Sequence, residues 1–134
     1  MRYPHECARC GKPKSKPRAS KKYCYQCEVD VRHEKSKRVH RARVSRMYGL
    51  LDDDYDRLYA AQGGRCAICL RATGKTKRLA VDHDHMRGLH NRAAVRGLLC
   101  GHDNDMLGQA RDDPAYFERA AEYLRNPPAK KVLI

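Results

Sequence analysis

Three fragments between residues 66 and 104 decide how this chain is read: Cys66-Ala67-Ile68-Cys69, Asp82-His83-Asp84-His85 and Cys100-Gly101-His102-Asp103-Asn104. A C-x-x-C knuckle lets two thiolates grip one tetrahedral ion. Cys66 and Cys69 have that spacing, and Cys100 and Asp103 repeat it with a carboxylate in second place. Zinc accepts thiolate, imidazole and carboxylate ligands. His102 is the alternative fourth ligand, a better ligand type standing one position early, and spacing favours Asp103. The two fragments therefore form a structural zinc clamp around the acidic, histidine-bearing tetrad.

Outward from the clamp, Leu79 and Val81 alternate with Ala80 and Asp82, which suits a short strand running into the tetrad. Strand alternation would put Asp82 and Asp84 on one face and His83 and His85 on the other. Residues 86–94 read as a loop or hairpin tip, residues 95–99 as the returning strand and residues 104–110 as a short helix. Upstream, residues 52–62 read as a helix with Asp52 to Asp54 as cap and negative first turn, stopped by Gly63 and Gly64. Downstream, Asp113-Pro114 opens a helix whose apolar stripe is Phe117, Ala120, Ala121 and Leu124. Residues 130–134 carry no signal. The expected architecture is small α+β: strand, strand and helix around a metal, with helices on both sides.

One carboxylate, Asp82, and one amide oxygen, Asn104, make a hard and incomplete ligand shell. Mg²⁺ suits such a shell, because it keeps waters and takes a phosphate oxygen. Asp, His and Asn around a small loop are thus equipped to cut phosphodiesters with a divalent ion. The competing reading is an acidic turn with Asn104 as a helix cap. For the tetrad alone that reading is the commoner one, and the flanking clamp shifts the balance.

The chain has 134 residues, no Trp and one Phe, so its apolar core must be thin and in need of staples. Of its seven cysteines, six form C-x-x-C pairs, Cys7/Cys10, Cys24/Cys27 and Cys66/Cys69. The odd count and the adjacent pairs favour metal over disulfides. No signal peptide and no apolar run near membrane length is present, so an intracellular, reducing compartment without membrane association is expected.

Residues 1–27 read as a zinc ribbon, Cys7 and Cys10 followed after thirteen residues by Cys24 and Cys27. Gly11, Pro13 and Pro17 make the intervening segment a loop, and Lys12, Lys14, Lys16, Arg18, Lys21 and Lys22 load it with charge. Four thiolates close a zinc site with no open position, which means structure and not catalysis. The alternative is a disordered arm with free thiols. The formal net charge is +13, and residues 1–47 hold 15 Lys/Arg against 4 Asp/Glu, whereas residues 48–134 hold 14 against 12. Such a basic segment suits a polyanion, bound mainly through the phosphate backbone of DNA. Residues 28–47 lack Gly, Pro and an apolar stripe, so they read as a basic helix lying on phosphates or as a solvated linker.

With these residues in view, the chain resembles the HNH superfamily and, within it, the phage recombination endonuclease VII family. The resemblance covers about residues 48–108. It rests on Tyr48-Gly49-Leu50, the run from Ala61-Gln62-Gly63-Gly64 to Cys69, Val81 to His85, Val95-Arg96-Gly97-Leu98-Leu99-Cys100, Asn104 and Leu107-Gly108. It implies a ββα-metal, treble-clef-like nuclease domain over residues 48–134, with a four-ligand structural zinc. It further implies that Asp82 and Asn104 hold a catalytic Mg²⁺ or Mn²⁺, that His83 is the general base and that His85 contacts the substrate phosphate. The activity implied is phosphodiester hydrolysis on branched or recombination-intermediate DNA, in the host-cell cytoplasm if the chain is phage-encoded. An HNH nicking or homing-type enzyme on plain duplex, or a non-catalytic zinc DNA-binding protein, are the rivals. Two departures stand out. Asp103 replaces a family cysteine, and only the helix around residues 114–125 stands where junction-resolving relatives carry long dimer-building helices, which leaves a homodimer open.

Overall fold

The computed structural model describes residues 5–14 and 22–133; Pro17, Lys16, Arg18 and Lys21 of the expected charged loop lie outside them. The fold is small α+β. Helix α1 runs Tyr25–Tyr48, so it begins inside the second knuckle, with Cys24 as its N-cap residue and Cys27 in its first turn. Much of its length is exposed, as a helix without an apolar stripe must be. Its C-terminal part is held differently. Val44 is buried in the core cluster, His40 stands edge-on to Tyr55 with ring centres 4.4 Å apart, and Arg41 pairs with Asp56 at 3.1 Å. Gly49 ends the helix in the left-handed region at φ 71°, its N–H donating to the Ser45 carbonyl. A Cβ at Gly49 would stand 3.0 Å from the His90 carbonyl oxygen, so glycine is needed there for space as well as for torsion.

Helix α2, Asp54–Ala61, is shorter than the expected 52–62. Asp53 takes the N-cap position without a side-chain bond, while Asp54 accepts from the Leu51 N–H and from Arg92. The hydroxyls of Tyr55 and Tyr59 donate to the carbonyls of Leu79 and Thr73, at 2.9 and 2.6 Å. These bonds tie α2 to the segment that leads into the first strand.

Strands β1, Ala80–His83, and β2, Val95–Leu99, form an antiparallel pair. Ala80 faces Leu99, Val81 faces Leu98 and Asp82 faces Gly97, but His83 faces Val95. Arg96 is therefore the extra residue of a bulge, which frees its side chain from the ladder's alternation. The other edge of β2 is closed by a side chain. The Gln62 amide donates to the Leu98 carbonyl and accepts from the Leu98 N–H, both at 2.8 Å, as a neighbouring strand would.

Helix α3, Gly101–Gln109, starts three residues before the expected 104 because Cys100 serves as its N-cap, its sulfur accepting from the Asp103 N–H. Helix α4, Pro114–Arg125, has the expected bounds, with the Asp113 carboxylate accepting from the Ala115 N–H. Phe117 and Ala121 of its stripe are half-buried, but Leu124 is 77 % exposed. A short α5, Ala129–Val132, lies in the tail that carried no sequence signal. The core is small: Val44, Leu50, Tyr55, Cys66, Leu79, Val81, Leu98 and Leu99.

Candidate metal centres and active site

Among the described residues, two clusters could hold a metal ion: Cys7, Cys10, Cys24 and Cys27, and Cys66, Cys69, Cys100 and Asp103. Within each, the ligand atoms all lie within 4.8 Å of one another. Tetrahedral zinc with sulfur at about 2.3 Å separates its ligands by about 3.8 Å. Cys10 Sγ and Cys24 Sγ are 3.9 Å apart. In the first cluster, the knuckle is folded by the Cys7 N–H donating to the Lys12 carbonyl and the Gly11 N–H to the Cys7 carbonyl. Burial works to raise the Cys7 thiol, yet the amides of Cys10, Cys24 and Arg9 outweigh it and bring it down to about 6. Cys27 is pushed up to about 12, first by its hydrogen bond with Cys24 and then by burial. Crowding of this kind among thiols is what a cation relieves.

The second cluster brings in Asp103 and leaves His102 out. Asp103 Oδ2 accepts from Cys66 Sγ at 3.0 Å and from the Cys69 N–H at 3.2 Å. The Cys66 thiol is the main reason that its carboxyl is held far below the usual range. His102, with its side chain 85 % exposed, touches Asp103 from outside, Nδ1 to Oδ1 at 3.2 Å. Spacing along the first turn of α3 explains the choice: position 103 faces the Cys66 knuckle and position 102 faces solvent.

The tetrad is split by the end of β1. Asp82 is 7 % exposed, and both its oxygens are taken by Arg96, from Nε at 2.7 Å and from Nη2 at 2.8 Å. Beyond His83 the chain leaves the strand. Asp84 accepts from the Met86 N–H and opens a 3₁₀ turn, His85–Arg87. Asp82 and Asp84 have different partners, Arg96 for the first and the Met86 N–H and Arg87 for the second. The histidines do come together, with ring centres 4.6 Å apart, and the Tyr48 ring lies 5.2 Å from that of His83. Asn104 is half-buried on α3, its N–H bonded to the Cys100 carbonyl at 3.0 Å, and α3 packs against both strands. Asp103 of the clamp and Asn104 are successive residues, so the clamp sets where Asn104 stands.

A match to the recombination endonuclease VII family model spans residues 39–126. The chain belongs to the recombination endonuclease VII family. Two curated relatives are Gene 59 proteins of Mycobacterium phages L5 and D29. They are 53 % and 50 % identical over 92 residues, which make up 68 % of this chain and 53 % of each relative. The chain thus spans about half the length of the curated relatives it matches. No solved structure matches it. The endonuclease VII match takes in the second cluster, the tetrad and Asn104, and leaves the first cluster outside. No helix of the described residues is long and apolar enough to cross a membrane.

Three side chains at this endonuclease VII site carried no sequence signal of their own. Arg96 was legible only within the Val95-to-Cys100 run, with no hint of the bulge. Tyr48 was legible only within the Tyr48-Gly49-Leu50 run. Asp112 was hidden beside the helix-capping Asp113. It accepts from Arg96 Nη2 at 3.0 Å and stands 3.4 Å from His85 Nδ1. Arg96 is the main cause that lowers its carboxyl below the ordinary value.

Proposed function

We propose that this chain is a metal-dependent DNA endonuclease of HNH type that hydrolyses phosphodiester bonds. The observation that carries the reading is a buried carboxylate, Asp82, next to paired imidazoles, His83 and His85, in a member of the endonuclease VII family. Pure DNA binding has no use for a buried carboxylate beside two histidines. The ββα-metal core is formed by β1, β2 and α3. Zinc in the Cys66, Cys69, Cys100, Asp103 cluster staples it, and zinc in the Cys7, Cys10, Cys24, Cys27 cluster organises the N-terminal ribbon.

Asp82 and the amide oxygen of Asn104 would hold Mg²⁺ or Mn²⁺, which would neutralise the phosphate and stabilise the departing oxygen. His83 takes a proton from the attacking water, and the hydroxide so formed adds to phosphorus as the bond to the 3′-oxygen breaks. The products are a 5′-phosphate and a 3′-hydroxyl. Tyr48 and His85 both have their rings against that of His83. His85, its Nδ1 turned to Asp112, offers Nε2 to a phosphate oxygen. The basic N-terminal residues, +11 over 1–47, hold the backbone of the DNA. We take residues 1–27 as the ribbon, 28–47 as the basic helix that carries it and 48–134 as the nuclease domain. Branched recombination intermediates are the substrate class and the phage host's cytoplasm the place of action.

A cleavage panel tests this reading. Supercoiled, linear, single-stranded and four-way-junction DNA are incubated with Mg²⁺ and the ends are mapped. Cutting of the junction faster than its linear arms, with 5′-phosphate ends, is expected. No cutting of any substrate in Mg²⁺ or Mn²⁺ would sink it.

A further inference from the structure

Arg96 is placed to do more than neutralise Asp82. Its guanidinium bridges two carboxylates, giving Nε and Nη2 to Asp82 and Nη2 again to Asp112. Arginine has five N–H donors, and the Nη1 pair makes no hydrogen bond among the described residues. The bulge that displaces Arg96 from the ladder is what lets it reach both partners.

Asp112 reaches this position at a cost. Arg111 and Asp112 both have φ of 54°, in the left-handed region, in the link between α3 and α4. Two consecutive non-glycine residues in that region are uncommon, and such strain persists only where the surroundings hold it. Here it delivers a carboxylate to Arg96 and His85.

The charges explain why two acids share one base. Asp82, Arg96 and Asp112 sum to −1, which repels a phosphodiester. A buried carboxylate must be paired, and Arg96 does this for Asp82. A divalent ion on Asp82 changes the sum to +1 and competes directly with the guanidinium.

We propose that Arg96 is a latch on the metal site, holding Asp82 in the ion-free protein and withdrawing onto Asp112 when a divalent cation takes Asp82, so that its free N–H groups bind a phosphate oxygen of the substrate. This rests on the reading of Asp82 as a metal ligand. Asp112 is then a positioning residue: it gives the displaced guanidinium somewhere to go and keeps it beside His85. Cation and phosphate bind in that order, because the acidic cluster attracts phosphate only once the cation is in place.

The test is Mn²⁺ binding to the full chain without DNA, read from the loss of the free Mn²⁺ resonance signal. Asp82→Asn should abolish the binding. Arg96→Gln should tighten it several-fold, because the competitor is gone. Asp112→Asn should loosen it several-fold, because Arg96 loses its alternative partner, and asparagine tolerates the left-handed backbone there. A residue that merely supports the fold would not move the two variants in opposite directions. If Asp82→Asn abolishes binding while Arg96→Gln weakens it or leaves it unchanged, or Asp112→Asn fails to weaken it, the latch is wrong and the metal site stands. If Asp82→Asn binds Mn²⁺ as the parent does, the site assignment itself falls and the latch with it. Should Arg96→Gln fail to fold by circular dichroism, Arg96→Lys, which keeps a charge but lacks the fork, takes its place with the same expected sign.

Discussion

Tyr48 closes α1 with its ring 5.2 Å from the imidazole of His83, the two planes tilted by 57°. The helix that starts at the first cysteine cluster therefore ends against the proposed general base. This contact ties the C-terminal end of the basic helix to the proposed nuclease site. His83→Ala should remove cleavage and leave DNA binding and metal content intact. Tyr48→Ala should slow cleavage by roughly tenfold through misplacement of the ring it stands against, whereas Tyr48→Phe should keep the rate. Single-turnover cleavage rates decide this, and an active His83→Ala protein would overturn the assigned chemistry.

Metal content separates the two clusters. The purified protein should hold two zinc ions, one in each cluster. Asp103→Cys should retain or tighten the second, because a fourth thiolate replaces the carboxylate that lies against Cys66. Asp103→Ala should release it to a chromogenic chelator much faster, and His102→Ala should change the release rate little. A large effect of His102→Ala would reverse the ligand assignment.

Acid should expose the Asp54–Arg92 pair. Asp54 accepts both Arg92 Nε and Nη2, at 2.5 and 2.6 Å, as well as the Leu51 amide. The Arg92 hydrogen bonds, first among the causes, hold its carboxyl well below the usual range. A depressed carboxylate contributes stability that is complete above its unfolded pKa of about 3.9 and is lost as pH falls below it towards the folded value. Urea midpoints measured from pH 6 down to pH 2 should therefore fall more steeply for the parent than for Asp54→Asn. Metal ligands protonate in both proteins, so the difference between the two curves isolates this pair. Parallel curves would refute the claim.

Truncation should divide at a point the charge distribution does not mark. Deleting residues 1–35 removes 10 of the 29 Lys/Arg and spares His40, Val44 and Tyr48. The shortened chain should fold, keep the second metal cluster and cut weakly, with DNA affinity falling less steeply as salt rises, because fewer phosphate contacts release fewer counterions. Deleting residues 1–47 should instead destabilise the core, since it strips buried Val44 and the His40–Tyr55 contact. Equal salt slopes for the parent and the 36–134 chain would show that the ribbon does not touch DNA.

The readings that held from sequence to structure concern short-range chemistry. The C-x-x-C spacings led to both clusters, and Cys100 with Asp103 three residues on led to the fourth member of the second. The reading of residues 95–99 as the returning strand and the Asp113-Pro114 cap match the bounds of β2 and α4. A knuckle, a cap or a strand pattern is settled within a few residues, so the sequence contains all the terms that decide it. The bulge at Arg96, the left-handed turn that aims Asp112, and the docking of Val44 and Tyr48 were not legible. Each joins residues that lie between 14 and 35 positions apart, Asp82 with Arg96, Asp112 with His85, Tyr48 with His83. Their placement depends on which side chains meet once the small core has closed. Pairing of buried charges is a property of the packed molecule, and no local propensity encodes it.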